Sequence, residues 1–296
     1  MKTTSTHAAK VLDPSAVNSP DQHSRLPLPP VLVAIAIASL LLTLTVGSAL
    51  LFFPGVIQPR WVWPLKPYNT RFLGAIYLTA SVGFISLLSG RRSAMARLVI
   101  PMFFVFTTNA LMVSCLQLQQ FAVARLATDI WFWLYLLDCA GSAYYLGYYR
   151  QHDFLGLRRL PKLWSAVLGG QAGLMGAYGL SLLFFPVAAG SRWLWPLDIF
   201  HSQLYSSIFL AGAVGAAVLL RRATASELTA LGTIQLVFSG LSLFGVWVVD
   251  REIQGIDWSQ LTNWGWLGAI TLLGIAGLGL IWQSRRLNQS DSGRLA

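Results

Sequence analysis

Charged residues are scarce in this chain. Asp, Glu, Lys and Arg make up only 11% of the 296 residues, whereas a soluble globular domain contains about 25%. Hydrophobic residues, by contrast, account for 55% of the sequence, and the mean hydropathy is +0.59. This composition argues against a soluble domain and favours a membrane protein.

Cysteine and histidine are also rare, and their rarity excludes several kinds of site. Cys115 and Cys139 lie in apolar stretches without a Cys-x-x-Cys pair, so we expect two small buried residues, with a disulfide between neighbouring helices as the alternative. His201 is expected at the surface, near the end of an apolar stretch, and the other histidines lie in polar segments. Haem ligation by membrane helices and a His-Glu-x-x-His metal site are therefore not expected, and we predict no metal and no cofactor.

Long apolar stretches take up most of the chain. Eight of them approach the roughly 20 residues that a helix needs to cross a bilayer, and Asp138 is the one charged residue within them. Because a spanning segment must satisfy its own backbone hydrogen bonds, each is predicted to be a helix. The sequence therefore predicts an all-α membrane protein with about eight transmembrane helices, at residues 31–53, 72–90, 98–121, 130–149, 163–186, 200–220, 228–249 and 260–283.

The net charge of +10 comes from basic residues at the ends of the apolar stretches. Of the 21 Lys and Arg residues, 15 fall in the two tails and in every second loop, and such an excess marks the cytoplasmic side. We therefore expect both termini in the cytoplasm, the lipid bilayer as a partner of the basic residues, and no nucleic acid. Short cytoplasmic loops and this bias favour a bacterial inner (plasma) membrane; an organelle membrane of bacterial descent is the alternative.

One sequence motif occurs twice, 132 residues apart. Residues 60–65 read RWVWPL, residues 192–197 read RWLWPL, and each motif follows an LFFP sequence at the end of an apolar stretch. The chain is therefore predicted to contain two four-helix repeats. Because four is an even number, the repeats are parallel and related by an axis along the membrane normal. The predicted segments are a disordered cytoplasmic tail (1–30), the first repeat (31–150), a basic cytoplasmic linker (151–162), the second repeat (163–284) and a cytoplasmic tail (285–296).

These two Trp motifs are the first candidate site. Trp prefers the headgroup region and Pro stops a helix, so the motifs are predicted to lie at the outer membrane surface. They form either an interfacial belt that fixes the depth of the helices or a binding edge for a lipid, a pigment or a partner protein. The candidate binding residues are Arg60, Trp61, Trp63, Arg71, Arg192, Trp193 and Trp195.

The first motif continues into a longer pattern. Residues 63–67 read WPLKP and residues 71–75 read RFLGA. This stretch of about 15 residues resembles a loop of uncharacterised bacterial polytopic membrane proteins, in which Trp-Pro-Leu-x-Pro precedes Arg-x-x-Gly-Ala. The resemblance implies a membrane location and no assigned reaction. The second motif departs from the pattern, since Asp198 and Gln203 stand at the positions that correspond to Lys66 and Arg71.

Asp138 is the second candidate site because it lies in the middle of the fourth predicted span. A charged side chain there costs roughly 2.5–3.5 kcal/mol on insertion scales. The alternatives are a neutral Asp that hydrogen-bonds a neighbouring helix, coupling to a proton or cation, and pairing with a partner or cofactor. Four intramembrane polar residues are predicted as its partners: Asn109, Gln117, Gln235 and Ser239.

No catalytic motif is present in the sequence. A Gly-x-Ser-x-Gly elbow and a phosphate-binding Gly-rich loop are both missing, so the sequence leans away from an enzyme. It favours a non-enzymatic multi-pass integral membrane protein that binds a partner, such as another membrane protein, or assembles a membrane complex. The alternative is a small-molecule or ion transporter with Asp138 as the coupling residue. A third hypothesis is a lipid-modifying enzyme that uses Arg60, Arg71 or Asp138.

Overall fold

The computed structural model describes residues 28–89, 92–122, 126–150 and 156–295. The predicted tail up to residue 27, and residues 151–155 of the predicted linker, lie outside the described residues. The described α-helices are α1 Pro30–Phe52, α2 Pro54–Ile57, α3 Pro67–Ser89, α4 Arg92–Leu116, α5 Leu126–Arg150, α6 Lys162–Phe184, α7 Pro186–Gly190, α8 Ile199–Leu219, α9 Ala225–Ile253 and α10 Leu261–Leu295. Two 3-10 helices (Gln58–Arg60, Leu118–Gln120) and two strands, β1 (Arg158–Arg159) and β2 (Arg222–Ala223), connect them.

Seven of the described helices are long and apolar enough to cross a membrane. Large apolar side chains such as Leu174, Phe184 and Leu272 are exposed on their outer faces, which lipid would cover. The protein is thus an all-α, multi-pass membrane protein in contact with the bilayer, as predicted. Helix α5 is not among the seven. It has 25 residues, but it contains Asp138 and is rich in Trp and Tyr, so the count of eight spans stays a prediction.

The LFFP sequences end two helices in the same way. Helix α1 ends at Phe52 and helix α6 at Phe184. The next residues, Phe53 and Phe185, have nearly equal backbone angles of φ −127°, ψ 50° and φ −125°, ψ 53°. In each case Pro then starts a short helix, a position at which its missing N–H costs nothing. Both helices therefore end with the same backbone turn and lead into the Trp motifs.

The helices of the two halves of the chain pack against one another. Within each half, α1 packs along α3, and α6 along α8. Between the halves, α3 packs along α9 and α8 along α4, and the outer helices α5 and α10 cover α4 and α9. We call the end of this bundle with residues 60–65 and 192–197 the Trp end, and the opposite end, with β1 and β2, the basic end.

Glycine permits the closest helix contacts. A Cβ atom added to Gly74 in α3 would lie 2.7 Å from the backbone nitrogen of Leu51 in α1. A Cβ atom at Gly232 in α9 would lie 2.5 Å from the carbonyl oxygen of Gly277 in α10, and the reverse distance is the same. Small residues at such crossings let helix backbones approach within van der Waals contact.

Several helix boundaries differ from the sequence prediction. Helix α3 begins at Pro67 rather than near residue 72, and α9 extends to Ile253 rather than 249. Helix α10 runs from Leu261 to Leu295, so the predicted C-terminal tail is helical through residue 295. Hydropathy marks the apolar part of a helix and not its polar ends, which accounts for these differences.

Candidate functional site

The two Trp motifs lie together at the Trp end, and their side chains turn into the protein. The exposed fraction lies between 2% and 8% for Trp61, Trp63, Trp193 and Trp195. These indoles are therefore not the lipid-facing belt that the sequence pattern suggests. Large aromatic rings gain most from leaving water when other rings can enclose them, and here other aromatic side chains do so.

Each motif donates a hydrogen bond to the other half of the chain. Trp63 Nε1 donates to His201 Nε2 at 3.2 Å, near the start of α8. Trp195 Nε1 donates to Asn69 Oδ1 at 2.7 Å, near the start of α3. Asn69 and His201 are separated by the same 132 residues as the motifs. The two hydrogen bonds therefore occupy corresponding positions and join the halves reciprocally.

Asp198 holds the His201 ring in place. The backbone N–H of His201 donates to Asp198 Oδ1 at 2.8 Å, and His201 Nδ1 lies 2.7 Å from Oδ2. Because Nε2 accepts from Trp63, a neutral ring carries its proton on Nδ1 and donates it to Asp198. Burial alone would raise the pKa of Asp198, but its hydrogen bonds with His201, together with the charge of Lys66, hold that pKa below its ordinary value.

Aromatic rings from the outer helices complete this arrangement. Trp63 meets Trp131 of α5 edge-on, with ring centroids 4.8 Å apart. Trp195 stacks on Tyr68 of α3 at 5.3 Å and meets Trp266 of α10 edge-on at 5.8 Å. Such pairs contribute about 0.5–1.5 kcal/mol each beyond the burial of their area. The rings of the two motifs thus pack against the outer helices α5 and α10 and, through Tyr68, against the central helix α3.

The arginine candidates have two kinds of environment. Arg60 and Arg192 are exposed, and Arg60 Nη1 donates to the carbonyl oxygen of Val56 at 2.6 Å. Arg71 is half-buried and donates to the carbonyl oxygen of Leu51, at the end of α1. Gln203, 132 residues later, makes the matching bond to the end of α6 at 3.1 Å. Arg71 therefore joins α3 to α1, and its guanidinium is not free at the surface.

A groove of about 900 Å³ opens at the Trp end beside the second motif. Residues 193–200 form one wall, residues 117–120 another, and the segment that precedes α10 a third. The lining is rich in hydrogen-bonding side chains, which distinguishes it from the lipid-facing surface. Among them are Gln117, Gln119, Gln120, Ser191, Asp198, Asp257, Gln260 and Asn263.

Two groups that line the groove bear on what it could bind. The carboxylate of Asp257 accepts hydrogen bonds from the Ser259 hydroxyl and from Gln260 Nε2, and these bonds lower its pKa. Asp257 is therefore ionised at neutral pH. The Nε1 of Trp193 is buried and has no hydrogen-bond partner among the described residues. The groove thus offers negative charge, and the Trp193 N–H is enclosed behind its wall.

The predicted intramembrane polar residues bridge helices. Asn109 in α4 donates to two serine hydroxyls of α8, both at 2.8 Å. Gln117, just after the end of α4, donates to Gln203 of α8 at 2.9 Å. Gln235 in α9 and Gln171 in α6 exchange hydrogen bonds at 3.2 and 3.5 Å. These amides hold the helices together, a common role for amides in membrane bundles.

Asp138 lies apart from those amides. It is half-buried in α5 and lines a small internal cavity of about 30 Å³, large enough for a water molecule. Hydroxyl groups of three neighbouring helices share this cavity; among them are Ser39, Thr43, Tyr77 and Thr107. Because Asn109, Gln117 and Gln235 bond elsewhere, and Ser239 donates to the carbonyl oxygen of Ile270, none of the predicted partners pairs with Asp138.

Some functional positions are not evident from the sequence pattern. His201, expected at the surface, is only 4% exposed because its ring meets Trp63. The 132-residue separation from Asn69 was a usable signal, since it places both side chains at the same point of the duplicated pattern. Cys115, expected to be buried, is exposed, and both cysteines are free thiols.

Comparisons of the chain with protein-family models, with curated proteins and with solved structures give no match.

Proposed function

We propose that the chain crosses the membrane eight times, as two parallel four-helix repeats. Four features support this: the motifs 132 residues apart, the equal backbone turns at Phe53 and Phe185, the reciprocal Trp hydrogen bonds and the matching helix contacts. Helix α5 is then the fourth span and the counterpart of α10. Its 25 residues suffice for a crossing.

We further propose that both termini lie in the cytoplasm of a bacterial cell and that the Trp end faces outward. The basic residues at the opposite end support this orientation through the positive-inside rule. The resemblance of residues 63–75 to uncharacterised bacterial polytopic membrane proteins supports the bacterial inner membrane. Under this proposal the groove at the Trp end is open to the outer side.

For its function, we propose that the protein is non-enzymatic and binds a partner in the groove at the Trp end. The observation that carries this proposal is the groove's lining of amides, carboxylates and indoles at a junction between the two halves of the chain. A lipid-facing surface would be apolar throughout. Sites for ligands and partners combine apolar walls with a few well-placed polar groups.

The charges in the groove indicate the chemistry of that partner. The described residues that line it include the carboxylates of Asp198 and Asp257 and no Lys or Arg, and both carboxylates have a lowered pKa. Complementary charge guides association and selects partners. We therefore propose a membrane protein whose exposed segment carries Lys or Arg.

A photo-cross-linking amino acid in place of Gln119 tests the proposal in native membranes. We expect a discrete protein adduct whose yield falls severalfold when Asp257 is changed to Asn. Asn keeps an oxygen that can accept from Ser259, and it removes the charge together with the oxygen that accepts from Gln260. The readout is the adduct band on denaturing gels, followed by mass spectrometry of the joined peptides.

The matched control is Glu252→Gln, which removes an exposed carboxylate five residues away and outside the groove lining. It should leave the yield of the adduct unchanged. The proposal is wrong if Gln119 cross-links to lipid alone, or if both substitutions lower the yield equally.

A second candidate function is proton or cation transport through the first half of the chain. The observation that favours it is the small cavity lined by Asp138 and by hydroxyl groups of three neighbouring helices. A carboxylate at such a place is expensive to retain in a membrane and often belongs to an ion path.

Asp138→Asn tests this second function in reconstituted vesicles. If Asp138 carries protons, their uptake under a potassium diffusion potential should fall by at least about tenfold, because Asn cannot bind and release a proton. A pH-sensitive dye inside the vesicles reports the uptake. Asp129→Asn, at the exposed start of the same helix, is the control. Equal uptake by all three proteins would remove Asp138 from any transport mechanism.

A further inference from the structure

A second cavity, of about 820 Å³, lies at the basic end. It is bordered by the start of α4, the start of α6, the end of α8 and the two strands. Four arginines belong to its lining: Arg97, Arg159, Arg221 and Arg222. No carboxylate is among the described residues that line it, so the lining carries a net positive charge.

The strands bring two of these arginines face to face. In the antiparallel pairing of β1 with β2, Arg159 and Arg222 are direct partners. Like charges directly opposite each other on neighbouring strands are destabilising. Both residues are exposed at the mouth of the cavity, and an anion between them would turn this repulsion into attraction.

The nearest buried carboxylate does not serve that purpose. Glu227 Oε1 and Oε2 accept from Arg97 Nε and Nη2 at 2.7 and 3.0 Å. Glu227 Oε2 also accepts from the backbone N–H of Thr224 at 2.7 Å, in the capping box of α9. Both carboxylate oxygens of Glu227 thus already accept hydrogen bonds from Arg97 or from the start of α9. A different anion is needed to neutralise Arg159, Arg221 and Arg222.

Apart from Ser165, the remaining walls of the cavity are apolar. Leu157, Leu160, Val218 and Leu220 line it beside the arginines. The cavity lies where α6 begins and α8 ends, the depth at which a spanning helix meets lipid headgroups. Guanidinium groups above an apolar wall match an amphiphile with a phosphate head and a hydrocarbon tail.

We propose that this cavity binds the phosphate group of an anionic phospholipid, held by Arg159, Arg221 and Arg222. Basic pockets between membrane helices on the cytoplasmic side are suited to such headgroups. The bound phosphate neutralises the Arg159–Arg222 pair and fixes the linker strand β1 against β2. A free phosphate ion would use the same arginines without the apolar wall, and the two sources can be separated by experiment.

Native mass spectrometry of the full-length protein in detergent tests the proposal. Phosphatidylglycerol is the anionic probe, phosphatidylcholine the zwitterionic one, and inorganic phosphate is added as a competitor. We expect selective retention of phosphatidylglycerol, and about a tenfold or greater loss of its affinity in Arg159→Gln/Arg222→Gln, since each cation near a membrane surface contributes about 1 kcal/mol.

The control is Arg150→Gln/Arg285→Gln, which removes the same charge from exposed positions outside the cavity, at the end of α5 and within α10. It should retain the lipid, and Arg159→Lys/Arg222→Lys should retain most of it. Displacement by inorganic phosphate, with arginine-dependent phosphate binding, would support the same site with the free ion as its ligand. Equal losses in the Gln variant and the control, or equal retention of the two lipids, would overturn the proposal.

Discussion

Replacing Glu227 with Ala is expected to lower the free energy of unfolding by about 3–5 kcal/mol, the range for breaking a buried ion pair. The Glu227 side chain is fully buried, and the Arg97 side chain, 2.7 Å away, is 17% exposed. Its removal leaves a guanidinium in a largely buried position without this counterion. It also removes the Glu227 half of the capping box of α9, the hydrogen bond that the backbone N–H of Thr224 donates to Glu227. Reversible unfolding in mixed detergent micelles measures the loss.

The matched control for this prediction is Glu252→Ala, an exposed carboxylate on the same helix. Its effect should stay within about 0.5 kcal/mol. The double variant Arg97→Met/Glu227→Leu should recover much of the stability, because an apolar pair replaces a buried ion pair at little cost. A loss for Glu227→Ala no larger than that for Glu252→Ala would contradict the role given to the pair.

The sequence predicts the helices well because a bilayer allows few alternatives. A long apolar stretch must form a helix when no water satisfies its backbone, and the predicted stretches correspond to described helices. Helix α5 shows the limit of hydropathy. Its Tyr and Trp side chains have polar groups that lower the mean hydropathy, although their rings are largely apolar, and part of the helix faces other helices. The proposal that α5 is an eighth span rests on the length of this helix and on its place in the duplicated pattern.

The environment of the Trp motifs could not be predicted from the sequence. An Arg-Trp-x-Trp-Pro segment has the composition of a membrane-interface belt, and the same residues suit a buried cluster. Whether these residues form a belt or a buried cluster depends on which side chain each indole contacts in the folded protein. Trp63 reaches His201 and Trp195 reaches Asn69, contacts more than a hundred residues apart in the chain. A local sequence pattern does not indicate which residues, far away along the chain, its side chains will contact.

The partners of the intramembrane polar residues were equally inaccessible. Asn109 lies at a plausible depth to meet Asp138, but it bonds to α8. The reason is that α4 packs along α8 through one face and along α5 through another. Only the rotation of α4 about its own axis determines which neighbour an amide meets, and hydropathy leaves that angle undetermined.

The reciprocal hydrogen bonds make the two halves of the chain interdependent. The indole of each half donates a hydrogen bond to a side chain of the other half. The hydrogen bonds at the Trp end therefore need both halves. Separate four-helix units would leave Asn69 or His201 without its indole donor. This arrangement also places the groove at the junction, where a change in either half alters its shape.

Trp195→Ala is therefore expected to destabilise both halves, with a loss of about 3–5 kcal/mol, as for other buried Trp residues. Trp195→Phe keeps most of the ring and loses the bond to Asn69, and it should cost about 1–3 kcal/mol. Asn69→Ala should cost a similar amount. Since the two residues share one bond, the double variant should cost less than the sum, with a coupling of about 0.5–3 kcal/mol.

Trp133→Ala is the control for the size of the residue, because this indole is 63% exposed on the outer face of α5. It should cost far less than Trp195→Ala when both are unfolded in the same mixed micelles. A coupling of the same order is expected between Trp63→Phe and His201→Ala, since that pair occupies the corresponding position. Additive losses in both cycles would mean that the indoles act only as packing and that the two halves are not joined through these hydrogen bonds. Coupling in one cycle alone would mean that one of the two contacts joins them and that the other has lost this role.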